Sequence, residues 1–257
     1  MSRLQHVTDA FVGVTETFGA SVDPLVLADR LVGHCVRLTG AGSAGVMMVT
    51  ARGRLRTVAV SDERADVLEM FQLQTGEGPC VDCWTTGAPV GAPDLPGHAD
   101  RWPRFAVLAA EAGFRGAYAV PVMVHDQQVG ALNLLVKPPG TLAADDLRLV
   151  SALSGVAATA MMQWRSDPAR PSDILTRVQS VISAKASLET ALGMLAAGGG
   201  ITIAEAARTL RDYGLRNGVR PAEAAQSLLG RTLGLDTVLA AAPERPGPGP
   251  AHSGPAG

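Results

Sequence analysis

The chain has 257 residues, 47% of them hydrophobic, with a net charge of −2 and a pI near 6.2. That supplies apolar material for one domain of about 150 residues and a smaller second one, and no strongly basic balance announces nucleic acid or a membrane surface. No run reaches the ~18 apolar residues of a membrane span, and Met1-Ser2-Arg3-Leu4-Gln5-His6 lacks the layout of a signal peptide, so the expected setting is cytoplasmic with no membrane partner. Charge is unevenly spread. Residues 172–233 hold seven basic side chains against five acids, a local +2 that leaves −4 for the remainder. Cysteines at 35, 80 and 83 make an odd count and no disulfide framework. Arginine-heavy, alanine- and glycine-rich usage, with Lys137 and Lys185 the only lysines, suggests a high-GC bacterial genome.

Residues 4–19 read as an amphipathic helix with Leu4, Val7, Phe11, Val14 and Phe18 on one face. A second helix opens at Asp23-Pro24, an N-cap followed by proline at the first helical position, and runs to about Leu38 with Leu25, Leu27, Leu31 and Cys35 as its stripe. The period then turns strand-like, and Ala44–Thr50 with Leu55–Ser61 flank Ala51-Arg52-Gly53-Arg54 as a hairpin. Gly40-Ala41-Gly42-Ser43-Ala44-Gly45 spells a dinucleotide fingerprint, but helix precedes it and strand follows it, so it reads as a turn. Ser61-Asp62 caps a helix to about Leu73. Two glycines and a proline in Gly76-Glu77-Gly78-Pro79 then allow close backbone approach, with a short helix from Pro79. Pro89–Ala92 reads as a short strand, Asp100–Ala112 as a helix, and Gly116–Val124 with Gln128–Lys137 as a hairpin turning at His125-Asp126-Gln127.

From Asp145 to Ala197 the pattern is a helical spine, interrupted at Asp167-Pro168-Ala169-Arg170-Pro171. Val150, Leu153, Ala157, Ala160 and Trp164 recur at three- and four-residue steps in its first half. Val178, Lys185 and Leu192 share one heptad position in the second half, and Ile174, Val181, Leu188 and Leu195 share the other. Such a seam predicts a homodimer stalk through Val150, Leu153, Ala157, Val178, Val181, Leu188, Leu192 and Leu195, with packing inside one chain as the alternative. Gly198-Gly199-Gly200 ends the spine. Thr202 with Glu205 forms a capping box for a helix to about Asn217, and Pro221-Ala222-Glu223 opens another that ends near Leu233. The proline- and glycine-rich tail has no apolar period and should be disordered.

The helices before the first strand pair, the excursion through Glu77-Gly78-Pro79-Cys80, the last hairpin with Val120-Pro121-Val122 and Val129-Gly130-Ala131-Leu132-Asn133, and the closing helix together resemble a GAF domain. The C-terminal helices resemble an ANTAR domain, the RNA-hairpin-binding module of antitermination regulators, through Leu188-Glu189-Thr190-Ala191-Leu192-Gly193-Met194-Leu195, Ile203-Ala204-Glu205-Ala206-Ala207 with Leu210, and Pro221-Ala222-Glu223-Ala224-Ala225. Leu192 stands where that family commonly has a basic residue, and Ala197-Gly198-Gly199-Gly200 replaces its polar loop. The implied architecture is an α+β sensor, an antiparallel sheet with flanking helices over 1–166, a linker at 167–171, an all-α three-helix module over 172–235 and a disordered tail over 236–257. The implied protein is a GAF-ANTAR regulator of the actinobacterial type.

That resemblance places the ligand face of the sheet under the segment holding Trp84, Trp102, Phe105 and Phe114, a concentration of aromatic surface that suits a lined pocket or a core. Glu77, Asp94 and Arg101 are the polar groups expected to orient an unknown small-molecule ligand there, beside Cys80 and Cys83. The two cysteines lack the further ligands that zinc needs. They read as packing, or as a redox pair, since a helix N-terminus at Pro79 would lower a thiol pKa. Arg177, Lys185, Arg208, Arg211, Arg216 and Arg220 are the candidates for RNA phosphate, and Tyr213 for stacking on loop bases. The resemblance implies an RNA hairpin, not DNA, as partner. No catalytic motif appears, so the chain is expected not to be an enzyme. A signalling or scaffold protein whose last helices dock a protein is the competing reading, and a GAF-type methionine sulfoxide reductase using the two cysteines is a third. Neither the ligand nor any cofactor is named by these residues.

Overall fold

The computed structural model describes residues 2–15, 23–137, 141–162 and 174–240. The chain divides into two units, Met1–Ala186 and Ser187–Gly257.

In the first unit, α1 (Arg3–Thr15) buries Ala10 and Val14. Leu4, expected on that face, is 74% exposed. Phe18 lies outside the described residues. Asp23 opens α2 (Pro24–Thr39) by accepting the Leu25 N–H at 2.9 Å, and all four stripe residues are buried. Gly40, at φ 68, ends α2 with its N–H on the Val36 carbonyl and turns the chain into β1 (Ser43–Val49), so the glycine-rich run is a turn. β1 pairs antiparallel with β2 (Leu55–Val60), as the hairpin pattern predicts.

Asp62 caps α3 (Glu63–Thr75) through the Ala65 N–H at 3.0 Å. α4 (Pro79–Thr86) begins at the expected proline. A short β3 (Val90–Ala92), a 3-10 turn at Leu95–His98 and α5 (Pro103–Glu111) follow. The closing hairpin is β4 (Gly116–Val124) and β5 (Gln127–Val136), turning at His125 with φ 53. The sheet order is β2-β1-β5-β4-β3, with every neighbouring pair antiparallel.

Both faces of this sheet are covered. α2 packs on β1 and β2, while α6 (Ala144–Met162) packs on β4 and α2, with α1 against both helices. On the other face α3, α4 and α5 enclose a core that includes Met47, Leu68, Trp102, Phe105, Phe114 and Leu135. Ala131 and Leu135 of β5 enter that core, which is the alternation that a period-two strand requires.

The division between units falls within α7 (Ile174–Gly199). Gly198 and Gly199 are still helical, and Gly200, at φ 59, ends the run. Thr202 and Glu205 form the predicted capping box of α8 (Ile203–Asn217). α9 (Pro221–Leu229) stops four residues short of the expected Leu233, at Gly230. A further helix, α10 (Leu235–Leu239), puts Val238 in the C-terminal core with Leu239 packed against it, so residues 236–239 are helical and not part of a disordered tail. That core joins Ala191, Leu195, Leu210, Ala225, Leu228 and Val238. The module therefore has one helix more than the expected three. The predicted linker at 167–171 and the tail from 241 lie outside the described residues.

Most of the predicted seam packs within the chain. Val150, Leu153 and Ala157 are fully buried on α6, Val178 and Val181 on the first half of α7, and Leu195 in the C-terminal core. Leu188 and Leu192 are half-buried against that same core. A heptad period reports that one helix face is covered, and here the cover comes from within the chain.

Candidate functional site

The residues expected to orient a ligand are mostly engaged in holding the cover helices together. Glu77 works as a remote helix cap. Its Oε1 accepts the N–H groups of Arg104 at 2.7 Å and Phe105 at 2.8 Å, in the first turn of α5, while Oε2 takes Arg104 Nε at 3.2 Å. Burial pushes its pKa up, but those two N–H groups and the guanidinium outweigh it and hold the carboxyl below the ordinary value.

Arg101 and Trp102 converge on Asp82, which no motif singled out. One oxygen, Asp82 Oδ2, accepts Arg101 Nε at 2.7 Å and Trp102 Nε1 at 3.1 Å. The Arg101 guanidinium lies 4.8 Å from the Trp102 ring centroid, and Trp102 meets Phe105 edge-on at 6.2 Å. The whole arrangement ties α4 to α5. Asp94 Oδ1 accepts Arg115 Nε at 2.9 Å at the surface.

Cys80 and Cys83 are three residues apart on α4, both completely buried in the core under the cover helices. The helix N-terminus is where the sequence places it, yet desolvation decides the thiol chemistry. Burial pushes Cys83 to about 12 and Cys80 well above its ordinary value, with the Glu69 carboxyl adding to the latter. Neither is a thiolate near neutral pH, so the low-pKa redox pair is replaced by core packing.

A cavity of about 430 Å³ opens beside these elements, and of the seven predicted ligand residues only Trp84 lines it. Its apolar wall comes from Leu55 of β2, Met70 and Leu73 of α3, and Val81 and Trp84 of α4, with Arg54, Arg56, Gln72 and Gln74 as polar groups. Gln72 is fully buried; its Oε1 accepts the Cys80 N–H at 2.9 Å, and its Nε2 has no acceptor among the described residues. One turn earlier on α3, Glu69 is fully buried too, with Oε1 taking Asn133 Nδ2 at 3.0 Å. Glu69 and Gln72 belong to no motif, and Asn133 entered only as part of the last hairpin. A signal existed, because Ala65, Leu68, Glu69 and Gln72 fall at the spacing of a buried helix stripe, so two polar residues occupy core positions.

In the C-terminal unit, Arg208, Arg211 and Arg216 are exposed on α8 and have no acid partner among the described residues. Arg208 and Arg211 share a face with Leu215, itself 77% exposed. Arg220 instead pairs with Glu223, Tyr213 is half-buried against the core, and Lys185 is half-buried on α7. Arg177 is in the first turn of α7, and its side chain lies outside the described residues. Of the predicted RNA-contacting residues whose side chains are described, Arg208, Arg211 and Arg216 of α8 are the exposed arginines without an acid partner. Among the described residues no group of three or more metal-ligating side chains occurs, and no single helix is long and apolar enough to cross a membrane.

The chain is similar in fold to the GAF domain of a phosphoenolpyruvate-protein phosphotransferase from Coxiella burnetii, at 16% identity and a TM-score of 0.48, covering 62% of this chain and 94% of that one. The corresponding Acinetobacter domain gives 17% identity and 0.46, covering 62% and 96%. The free methionine-R-sulfoxide reductase of Neisseria meningitidis gives 14% and 0.46, covering 71% and 91%. No curated protein matches. A model of the GAF domain matches residues 21–162, more than half of the 257 residues, and these are the residues that form the sheet and its covering helices: the chain belongs to the GAF domain family.

Proposed function

We propose that the chain is a signal-responsive regulator of transcription antitermination, in which the GAF unit senses a small molecule and an ANTAR-like helical unit binds an RNA hairpin. The observation that carries the output half is the set of exposed arginines on α8, Arg208, Arg211 and Arg216, which stand without acid partners among the described residues. Unpaired guanidinium groups on one helix suit phosphate oxygens, and their planes suit unstacked bases. Leu192 is half-buried in the core of its unit, so the apolar residue at the family's usual basic position serves packing, and the phosphate contacts fall to α8. The buried, high-pKa cysteines support a non-enzymatic role.

Leu215 favours a second reading, a scaffold whose α8 docks a protein, since an exposed leucine between arginines suits a protein interface core as well. Electrophoretic mobility of the full chain with a paired-hairpin RNA separates the two. Retardation that weakens steeply with added salt supports the RNA reading. Free migration of the hairpin at low salt supports the protein-docking one.

A further inference from the structure

We infer that the 430 Å³ cavity between β2, α3 and α4 binds a small, flat, apolar molecule carrying a carboxylate or similar anionic group. This rests on reading the first unit as a sensor and adds the chemical class of what it senses. The volume is within the range of small-molecule sites, roughly 300–1,000 Å³. Its wall offers the half-buried indole of Trp84 with Leu55, Leu73 and Met70, a surface that a flat apolar body can cover.

The polar lining has one sign. Arg54 and Arg56 are the charged residues that line the cavity, no acid lines it, and neither arginine has a side-chain acceptor among the described residues. Gln72, its Oε1 held by the Cys80 N–H at 2.9 Å, is a neutral part of the same lining. An amine of the same shape would bring a third positive charge to the two arginines, so the lining rejects cations as well as attracting anions.

The test uses the full chain and two probes with one ring system and opposite charge, 2-naphthoate and 2-naphthylmethylammonium, titrated calorimetrically at low salt. The naphthoate is expected to bind at least about tenfold more tightly. Arg54→Gln/Arg56→Gln, at two exposed positions, should remove most of that preference, and Trp84→Ala should weaken both probes. Equal or tighter binding of the ammonium would overturn the charge class while leaving the cavity as a sensor site. Naphthoate selectivity that survives the double arginine variant would also overturn it, as would affinities unmoved by Trp84→Ala. If neither probe binds, the cavity fails as the sensor site, and that failure is separate from any result on RNA.

Discussion

Asn133, at the centre of β5, donates its amide to Glu69 of α3 at 3.0 Å inside the core. Strand register sets Asn133 opposite Gly45, and a Cβ on Gly45 would come within 2.6 Å of Glu69 Oε1. The carboxyl therefore fits only because its neighbour on β1 has no side chain. Glu69 Oε2 and Asn133 Oδ1 have no partner among the described residues. Among the described residues no cation pairs with Glu69, and burial, offset in part by the Asn133 amide and reinforced by Asp66, raises its pKa from 4.5 to about 7.

Stability should consequently fall as pH rises. The folded state holds its proton up to about pH 7 while the unfolded chain releases it near 4.5, so between those values folding binds a proton. The contribution is fully present below 4.5 and is lost through pH 7, to a total of roughly 3 kcal/mol. Urea midpoints from pH 5 to 8 should decline for the native chain, and Glu69→Gln, which keeps the shape without the charge, should lose that decline. A variant as pH-sensitive as the parent would place the titration elsewhere.

Two glycines should differ in what they tolerate. Gly130→Ala brings a Cβ within 2.0 Å of the Met47 carbonyl oxygen, whereas Gly45→Ala meets the Glu69 side chain at 2.6 Å. A paired strand cannot yield, but a carboxyl can turn. We expect Gly45→Ala to cost about 1–3 kcal/mol and Gly130→Ala to cost more, measured as denaturant midpoints. Equal losses would mean that the β1/β5 pairing is looser than the structure shows.

Glu77→Ala should destabilise the chain by about 1–2 kcal/mol, because two first-turn N–H groups of α5 lose their acceptor. Affinity for 2-naphthoate should be unchanged, since Glu77 does not line the cavity. Lost affinity with unchanged stability would restore Glu77 to the ligand site.

Leu192→Lys should lower the stability of the C-terminal unit, since the side chain packs on the core around Leu195 and Leu210, and a charge there loses solvation. Thermal unfolding checks the loss. Tighter hairpin binding by a variant of unaltered stability would instead put position 192 on the RNA surface.

Much of the fold was legible because local chemistry dictated it. Asp23-Pro24 and the Thr202/Glu205 capping box set helix starts without outside help, and the alternation of Ala131, Asn133 and Leu135 with Leu132, Leu134 and Val136 set the two faces of β5. The site was less legible because partners decide it. A helix start at Pro79 is written locally, but the burial that raises the cysteine pKa comes from residues far along the chain, such as Leu55, Trp102 and Leu135. Glu77 looked like a ligand group until α5 was placed beside it. For the same reason the spine's apolar period named the covered positions and could not name their cover.

The most direct test of the account is hairpin-RNA affinity against salt for the native chain and for Arg208→Ala/Arg211→Ala. Two phosphate contacts on α8 should make the logarithmic salt slope shallower by roughly two units in the variant, with weaker binding at every salt concentration and an unchanged fold. Affinity and slope that stay the same would contradict the assignment of α8 as the RNA-binding face, and with it the antitermination reading.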